Sequence, residues 1–183
     1  MIKRLSFIAV FIAVGMMLAK PAWDRWGLPW YRAREYDDLL REEGRKAEVD
    51  PRLLRAVVWQ ESRFDAIRIG KVGEIGLMQV TPPAAMEWAR GTHRGELDFS
   101  TLLDARTNIA AGAWYLQRAL RRWASRPDPL PYALAEYNAG LTNVRRWDDA
   151  AGGDTATNFT ASIGYPGTQR YVRDIMRRYR GRP

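Results

Sequence analysis

The sequence predicts a mainly α-helical protein with one folded domain. Two observations carry that reading. Helix-start signals, Asp50-Pro51, Thr81-Pro82-Pro83 and Asp104, stand ahead of segments suited to helices. The one stretch with a strand-like pattern, Ile67 to Gly76, is Gly-rich with short alternating runs and reads as a loop or short hairpin. Apolar residues make up 46% of the 183 positions, enough for one core.

The elements follow in chain order. Met1-Ile2-Lys3-Arg4 precedes Leu5 to Ala19, a run without charge that ends at Lys20-Pro21. A short basic region before an apolar segment is the pattern of an export signal. As a helix the run would span about 22 Å, short against a bilayer core of about 30 Å. Met17 is large for the small-residue position before a cleavage point, and Pro21 follows closely. Residues 1–22 are therefore an export signal or a membrane anchor. Either places residues 21–183 outside the cytoplasm, because Lys3 and Arg4 stay inside. Residues 23–47 read as a Trp-rich linker followed by a charged surface helix with Tyr36, Leu39 and Leu40 as its apolar stripe. The folded domain is expected over 48–183. Its helices run from Pro51 to about Ser62, from Pro82 to about Arg90 and from Asp104 to near Ala124. Further helices are expected near 131–138, 141–150 and 168–180. The stretches 91–101 and 152–167 read as loops.

Composition narrows the chemistry. Without cysteine there are no disulfides, thiolate metal sites, Cys nucleophiles or lipidated N-terminal Cys. The single histidine, His93, excludes a multi-His zinc site, and a Ser-His-Asp triad would have to use it. Carboxylate chemistry is favoured. The net charge is +8, and beyond Lys20 the 26 basic and 21 acidic residues leave +5. Anionic partners follow: nucleic acid, anionic lipid or an anionic wall polymer. The export segment argues against nucleic acid.

One carboxylate stands out. Leu53, Val57 and Glu61 are spaced by four and share a helical stripe widened by Leu54 and Val58. Glu61 thus ends an apolar face, where burial and the helix C-terminus both disfavour its charged form. A carboxylic acid kept protonated in this way can protonate a glycosidic oxygen. A Glu61 that points to solvent at a frayed end, or that pairs with an Arg, is the other reading of the same spacing.

Around it stand Glu61-Ser62-Arg63-Phe64, then Gly76-Leu77-Met78-Gln79-Val80-Thr81-Pro82, Ala133-Leu134-Ala135-Glu136-Tyr137-Asn138-Ala139-Gly140 and Thr168-Gln169-Arg170-Tyr171-Val172. In this order and spacing, over about residues 48–180, the chain closely resembles the family 1 lytic transglycosylases, whose fold is lysozyme-like. The resemblance implies that Glu61 is the sole catalytic acid/base and that Ser62 hydrogen-bonds near the scissile bond. It implies that Gly76, Leu77, Met78 and Gln79 form part of the cleft, with Met78 and Gln79 lining sugar subsites. Tyr137 and Asn138 would sit opposite, Tyr137 close to Glu61, and Tyr171 at the cleft floor. Gly76 would let the backbone approach a sugar ring. Gly140 reads as a helix cap. The implied substrate is peptidoglycan glycan, cut at the β-1,4 MurNAc–GlcNAc bond with closure of a 1,6-anhydro ring, without metal or cofactor.

Glu74 departs from the family's small residue at that place and is the candidate second carboxylate of a hydrolytic muramidase. A surface Glu74 paired with Arg68 or Lys71 is the structural alternative. Asp65 and Glu136 are lesser candidates, with Glu136 expected on the outer face or supporting Tyr137. A non-catalytic wall-binding module is a further reading. So is an enzyme that opens the wall for cell-envelope machinery. Membrane association would run through residues 5–19.

Overall fold

The computed structural model describes residues 28–152 and 156–181, mainly as α-helix. The stretch expected to be an export signal or membrane anchor, residues 1–22, lies outside these residues. Among the described residues no helix is long and apolar enough to cross a membrane.

Helix α1 (Leu28–Glu35) ends at Tyr36, which takes φ −101° and ψ 0°, and α2 (Asp37–Ala47) follows at once. The single surface helix expected over 31–47 is therefore two. The ring of Tyr36 stacks on Phe64 with centroids 6.3 Å apart, which holds the break in place. Leu40, Glu43 and Gly44 of α2 are buried. A Cβ on Gly44 would lie 2.8 Å from the carbonyl oxygen of Val49, so α2 presses on the turn that leads into α3. Residues 37–47 thus share the core of the domain.

Helix α3 (Pro51–Ser62) starts as the Asp-Pro pair predicts: Asp50 accepts from the backbone N–H of Arg52 at 2.8 Å. Asp50 also accepts from the Tyr179 hydroxyl at 3.0 Å, which ties the start of α3 to the last helix. Leu53, Leu54, Val57 and Val58 are buried, as the four-residue spacing requires. Past Ser62, Arg63 and Phe64 both take left-handed φ, 57° and 62°. Such backbone is costly for non-glycine residues and persists only when packing imposes it. Here Phe64 is buried and edge-on to Trp59 at 6.3 Å.

Residues 65–81 form the short hairpin, reduced to the isolated bridges Ile69 to Ile75 and Ile75 to Val80. Helix α4 (Pro82–Gly91) is capped by the Thr81 hydroxyl, which accepts from Ala84 N–H at 3.3 Å. A 3₁₀ turn, Phe99–Leu103, lies partly in the stretch expected to be loop; it buries only Leu102, too little for a periodic signal. Helix α5 (Ala105–Arg122) begins with Asp104 accepting from Thr107 N–H at 2.8 Å. It packs against α2, α4 and α6.

Helix α6 (Leu130–Ala139) is buried from Leu130 through Glu136 and is the centre of the molecule. Gly140, at φ 81°, stops it, and α7 (Leu141–Ala150) follows at once. Helix α8 (Ala156–Ser162) replaces an expected loop. Its Gly- and Thr-rich setting hides it, but Phe159 is fully buried and stacks on Tyr132 at 3.8 Å. Helix α9 (Pro166–Arg180) turns Tyr171, Val172 and Ile175 inward and closes on Arg177, Arg178 and Arg180, cations that suit a helix C-terminus. It packs on α3, α6 and α8.

Candidate active site

Glu61 stands in the last turn of α3, at the end of its apolar stripe. Tyr171 reaches it from α9, and its hydroxyl donates to Glu61 Oε1 at 2.6 Å. Burial pushes the Glu61 carboxyl up to about 7; the Tyr171 hydrogen bond and nearby Arg68 pull it back, and Glu74 adds to the rise. The carboxyl therefore keeps its proton to far higher pH than an ordinary glutamate. Burial and the neighbouring Glu61 keep Tyr171 and Tyr137 well above the usual phenol range, so both stay neutral O–H donors.

Tyr171→Phe removes the donor that favours ionised Glu61 and leaves the ring in place. The Glu61 titration midpoint is expected to rise, as followed by carboxyl-carbon NMR. A fall would show that the hydrogen bond stabilises the protonated form instead.

The hairpin wall is held from two sides. Ser62 is buried, and its hydroxyl donates to Leu77 O at 2.8 Å and Val58 O at 3.3 Å. Asn108 of α5 does more. Its Oδ1 accepts from Met78 N–H at 2.8 Å, and its Nδ2 donates to Ile75 O at 2.7 Å and Leu102 O at 2.8 Å. A single buried amide thus satisfies three backbone groups of irregular chain. Gly76, at φ 77°, is required by this approach, since a Cβ there would fall 2.4 Å from Asn108 Nδ2.

These contacts revise several expected roles. Leu77 and Met78 are fully buried, so their side chains line no sugar subsite. Met78 instead fills the space over Gly112, where a Cβ would meet its sulfur at 2.6 Å. Its backbone oxygen accepts from the Tyr137 hydroxyl at 2.9 Å. Ser62 acts on the hairpin backbone, and Gly76 makes room for Asn108. Gln79, at φ 48°, donates its amide to Gly76 O at 2.9 Å and Arg68 O at 3.1 Å.

A cavity of about 240 Å³ brings together Gln79, Tyr137 and Asn138 with Thr81, Gly112 and Tyr115. Tyr115 and Tyr137 meet edge to face at 5.9 Å. The exposed Asn138 is oriented by Thr168, whose hydroxyl donates to its Oδ1 at 2.7 Å. Glu61 is not among the residues lining this cavity; Tyr137, near enough to Glu61 to feel its charge, connects the two. Of the residues at this cavity the sequence singled out Gln79, Tyr137 and Asn138 as site candidates and Thr81 as a helix start, whereas Gly112 and Tyr115, like Asn108 behind the hairpin, were not among its candidates.

The other carboxylates are engaged by partners of their own, although Glu136 also borders the cavity. Glu74 Oε2 accepts from Val72 N–H at 3.0 Å and lies over Gly70, where a Cβ would come within 2.1 Å of it. Glu136 is buried and not on the outer face: it accepts from Trp123 Nε1 at 2.7 Å and pairs with Arg122 at 3.2 Å. Asp65 accepts from Ile67 N–H at 3.4 Å within its own turn. Among the described residues no group of three His, Cys, Asp or Glu side chains is placed to hold a metal.

A largely buried glutamate whose carboxyl is raised towards 7, bonded to Tyr171 and near Tyr137 at the end of a helix, is suited to acid/base chemistry. The chain belongs to the transglycosylase SLT domain family, whose model matches residues 38–160. The soluble lytic murein transglycosylase of Escherichia coli K12 is 31% identical over 143 residues, which are 77% of this chain and 22% of that protein. The chain thus spans about a fifth of that relative's length. Two solved structures share the fold. The 70 kDa soluble lytic transglycosylase of Escherichia coli aligns with a TM-score of 0.73 at 29% identity, over 79% of this chain and 23% of that one. An inactive glutamate-to-glutamine mutant of the lytic transglycosylase Slt of Pseudomonas aeruginosa aligns with a TM-score of 0.69 at 26% identity, over 78% of this chain and 23% of that one.

Proposed function

We propose that the chain is an exported peptidoglycan lytic transglycosylase that cleaves the β-1,4 MurNAc–GlcNAc bond with Glu61 as its single acid/base. The observation that carries this is the Glu61 carboxyl, pushed to about 7 by burial and bonded to Tyr171 beside the Tyr137–Asn138 cavity. Protonated Glu61 donates to the bridging oxygen as the bond from the MurNAc anomeric carbon breaks. The substrate's own N-acetyl carbonyl stabilises the cationic centre. The resulting carboxylate takes the proton of the MurNAc 6-hydroxyl, whose oxygen closes on the anomeric carbon. Glu61 ends carrying a proton again, and no water enters the product. Tyr171, as a neutral donor, stabilises Glu61 in its charged half of the cycle.

With the Gln79 NH2 group given to Gly76 O and Arg68 O and the Asn138 oxygen to Thr168, the Gln79 oxygen and the Asn138 NH2 group are the ends suited to N-acetyl and hydroxyl groups of the glycan. Residues 5–19 would serve export, as a signal or as an anchor that keeps the domain at the envelope. The relatives, a lytic murein transglycosylase and a lytic transglycosylase by name, support substrate and reaction alike.

Digestion of purified sacculi tests the reading. Released fragments are expected to carry 1,6-anhydro ends, lighter by one water than reducing ends in mass spectrometry. Mainly reducing ends would favour the second reading, hydrolysis with Glu74. The charge of Glu74 does act on Glu61. Its carboxylate, however, is held by Val72 N–H, which supports a brace for the hairpin turn over a catalytic partner.

A further inference from the structure

The hairpin wall ends in an apolar tip. Ile67, Ile69 and Val72 are 74%, 60% and 79% exposed, and Arg68 and Lys71 between them are exposed as well. Three large aliphatic side chains and two cations thus occupy six residues. The tip is not a frayed end. Gly70 N–H donates to Glu74 O at 2.7 Å, Gly73 N–H to Gly70 O at 3.3 Å and Gly76 N–H to Arg68 O at 2.8 Å. The only acid of the turn, Glu74, lies back over Gly70. An ordered loop that keeps aliphatic groups in water marks a surface with a partner. Aliphatic groups alternating with cations suit the boundary between anionic headgroups and acyl chains. They suit a sugar poorly, because the tip offers no aromatic face and no amide side chain.

We propose that the Ile67–Val72 tip docks into the surface of an anionic lipid bilayer, with Ile67, Ile69 and Val72 entering the acyl boundary and Arg68 and Lys71 on lipid phosphates. The tip continues directly into Gly76–Gln79, so docking fixes the orientation of the Glu61 site relative to the membrane. This holds whether or not Glu61 cleaves glycan, and it is separate from any attachment through residues 5–19.

The chain contains no cysteine, so Val72→Cys accepts a single environment-sensitive nitrobenzoxadiazole label. The full chain is mixed with vesicles of phosphatidylglycerol and phosphatidylethanolamine. A blue shift and protection from iodide quenching are expected at position 72. They are not expected at Arg145→Cys, an exposed control on α7. Adding Arg68→Ser and Lys71→Ser should remove most of the shift. The proposal is overturned by a label at 72 that stays in water. It is also overturned by an equal shift at position 145, or by an equal shift on phosphatidylcholine vesicles. A shift produced without lipid, by a soluble N-acetylglucosamine oligomer or by raising protein concentration, would assign the tip to glycan or to a second copy instead.

Discussion

Replacing Glu61 with glutamine is expected to lower wall lysis by about 10³-fold or more, the upper range for loss of a positioned general acid that must also act as base. The effect is larger than for an ordinary acid because one group performs both proton transfers, and the carboxylates considered as substitutes are engaged by other groups. Glu74 is held in its turn, Glu136 by Trp123 and Arg122. Glutamine keeps the shape and an oxygen that can still accept from Tyr171, so folding should survive. The measurement is release of soluble fragments from sacculi beside thermal unfolding of both proteins. A folded Glu61→Gln protein that retains most of its activity would remove the acid assignment.

Much of the fold was legible because its boundaries are set by local chemistry. Asp50, Thr81 and Asp104 cap their helices with their own side chains, and Gly140 takes the positive φ that ends α6. Glu61 was legible because period and polarity coincide at one residue. What escaped was set at long range. Helix α8 exists because Phe159 finds Tyr132, more than twenty residues away, and not because its sequence favours helix. The break at Tyr36 depends on Phe64. Asn108 meets backbone groups some thirty residues earlier, which no spacing within α5 announces. Met78 and Ser62 illustrate a further limit. A motif tells which residues belong to a site, but whether each faces the groove or supports the wall behind it is decided by packing.

The buried acid also predicts how stability should vary with pH. The Glu61 carboxyl titrates near its ordinary 4.5 in the unfolded chain and at about 7 when folded. A folded-state value above the unfolded one means that the folded protein binds the proton more tightly. The stabilisation is therefore fully present below about 4.5, is lost as pH rises towards 7, and is gone above that. The difference between the two values corresponds to about 3 kcal/mol, an upper figure because part of Glu61 remains in contact with water. The carboxylates held low, Asp50, Asp98 and Asp104 among them, act in the opposite sense, and only in acid. Glu61→Gln separates the two effects, since it removes one titration and leaves the others. Relative to wild type, the glutamine variant should gain stability between pH 5 and pH 8, by up to roughly 6–12 °C in melting temperature. A melting difference that stays flat over that window would show that Glu61 is solvated in the folded protein. The proton that the proposed chemistry needs would then not be held at neutral pH.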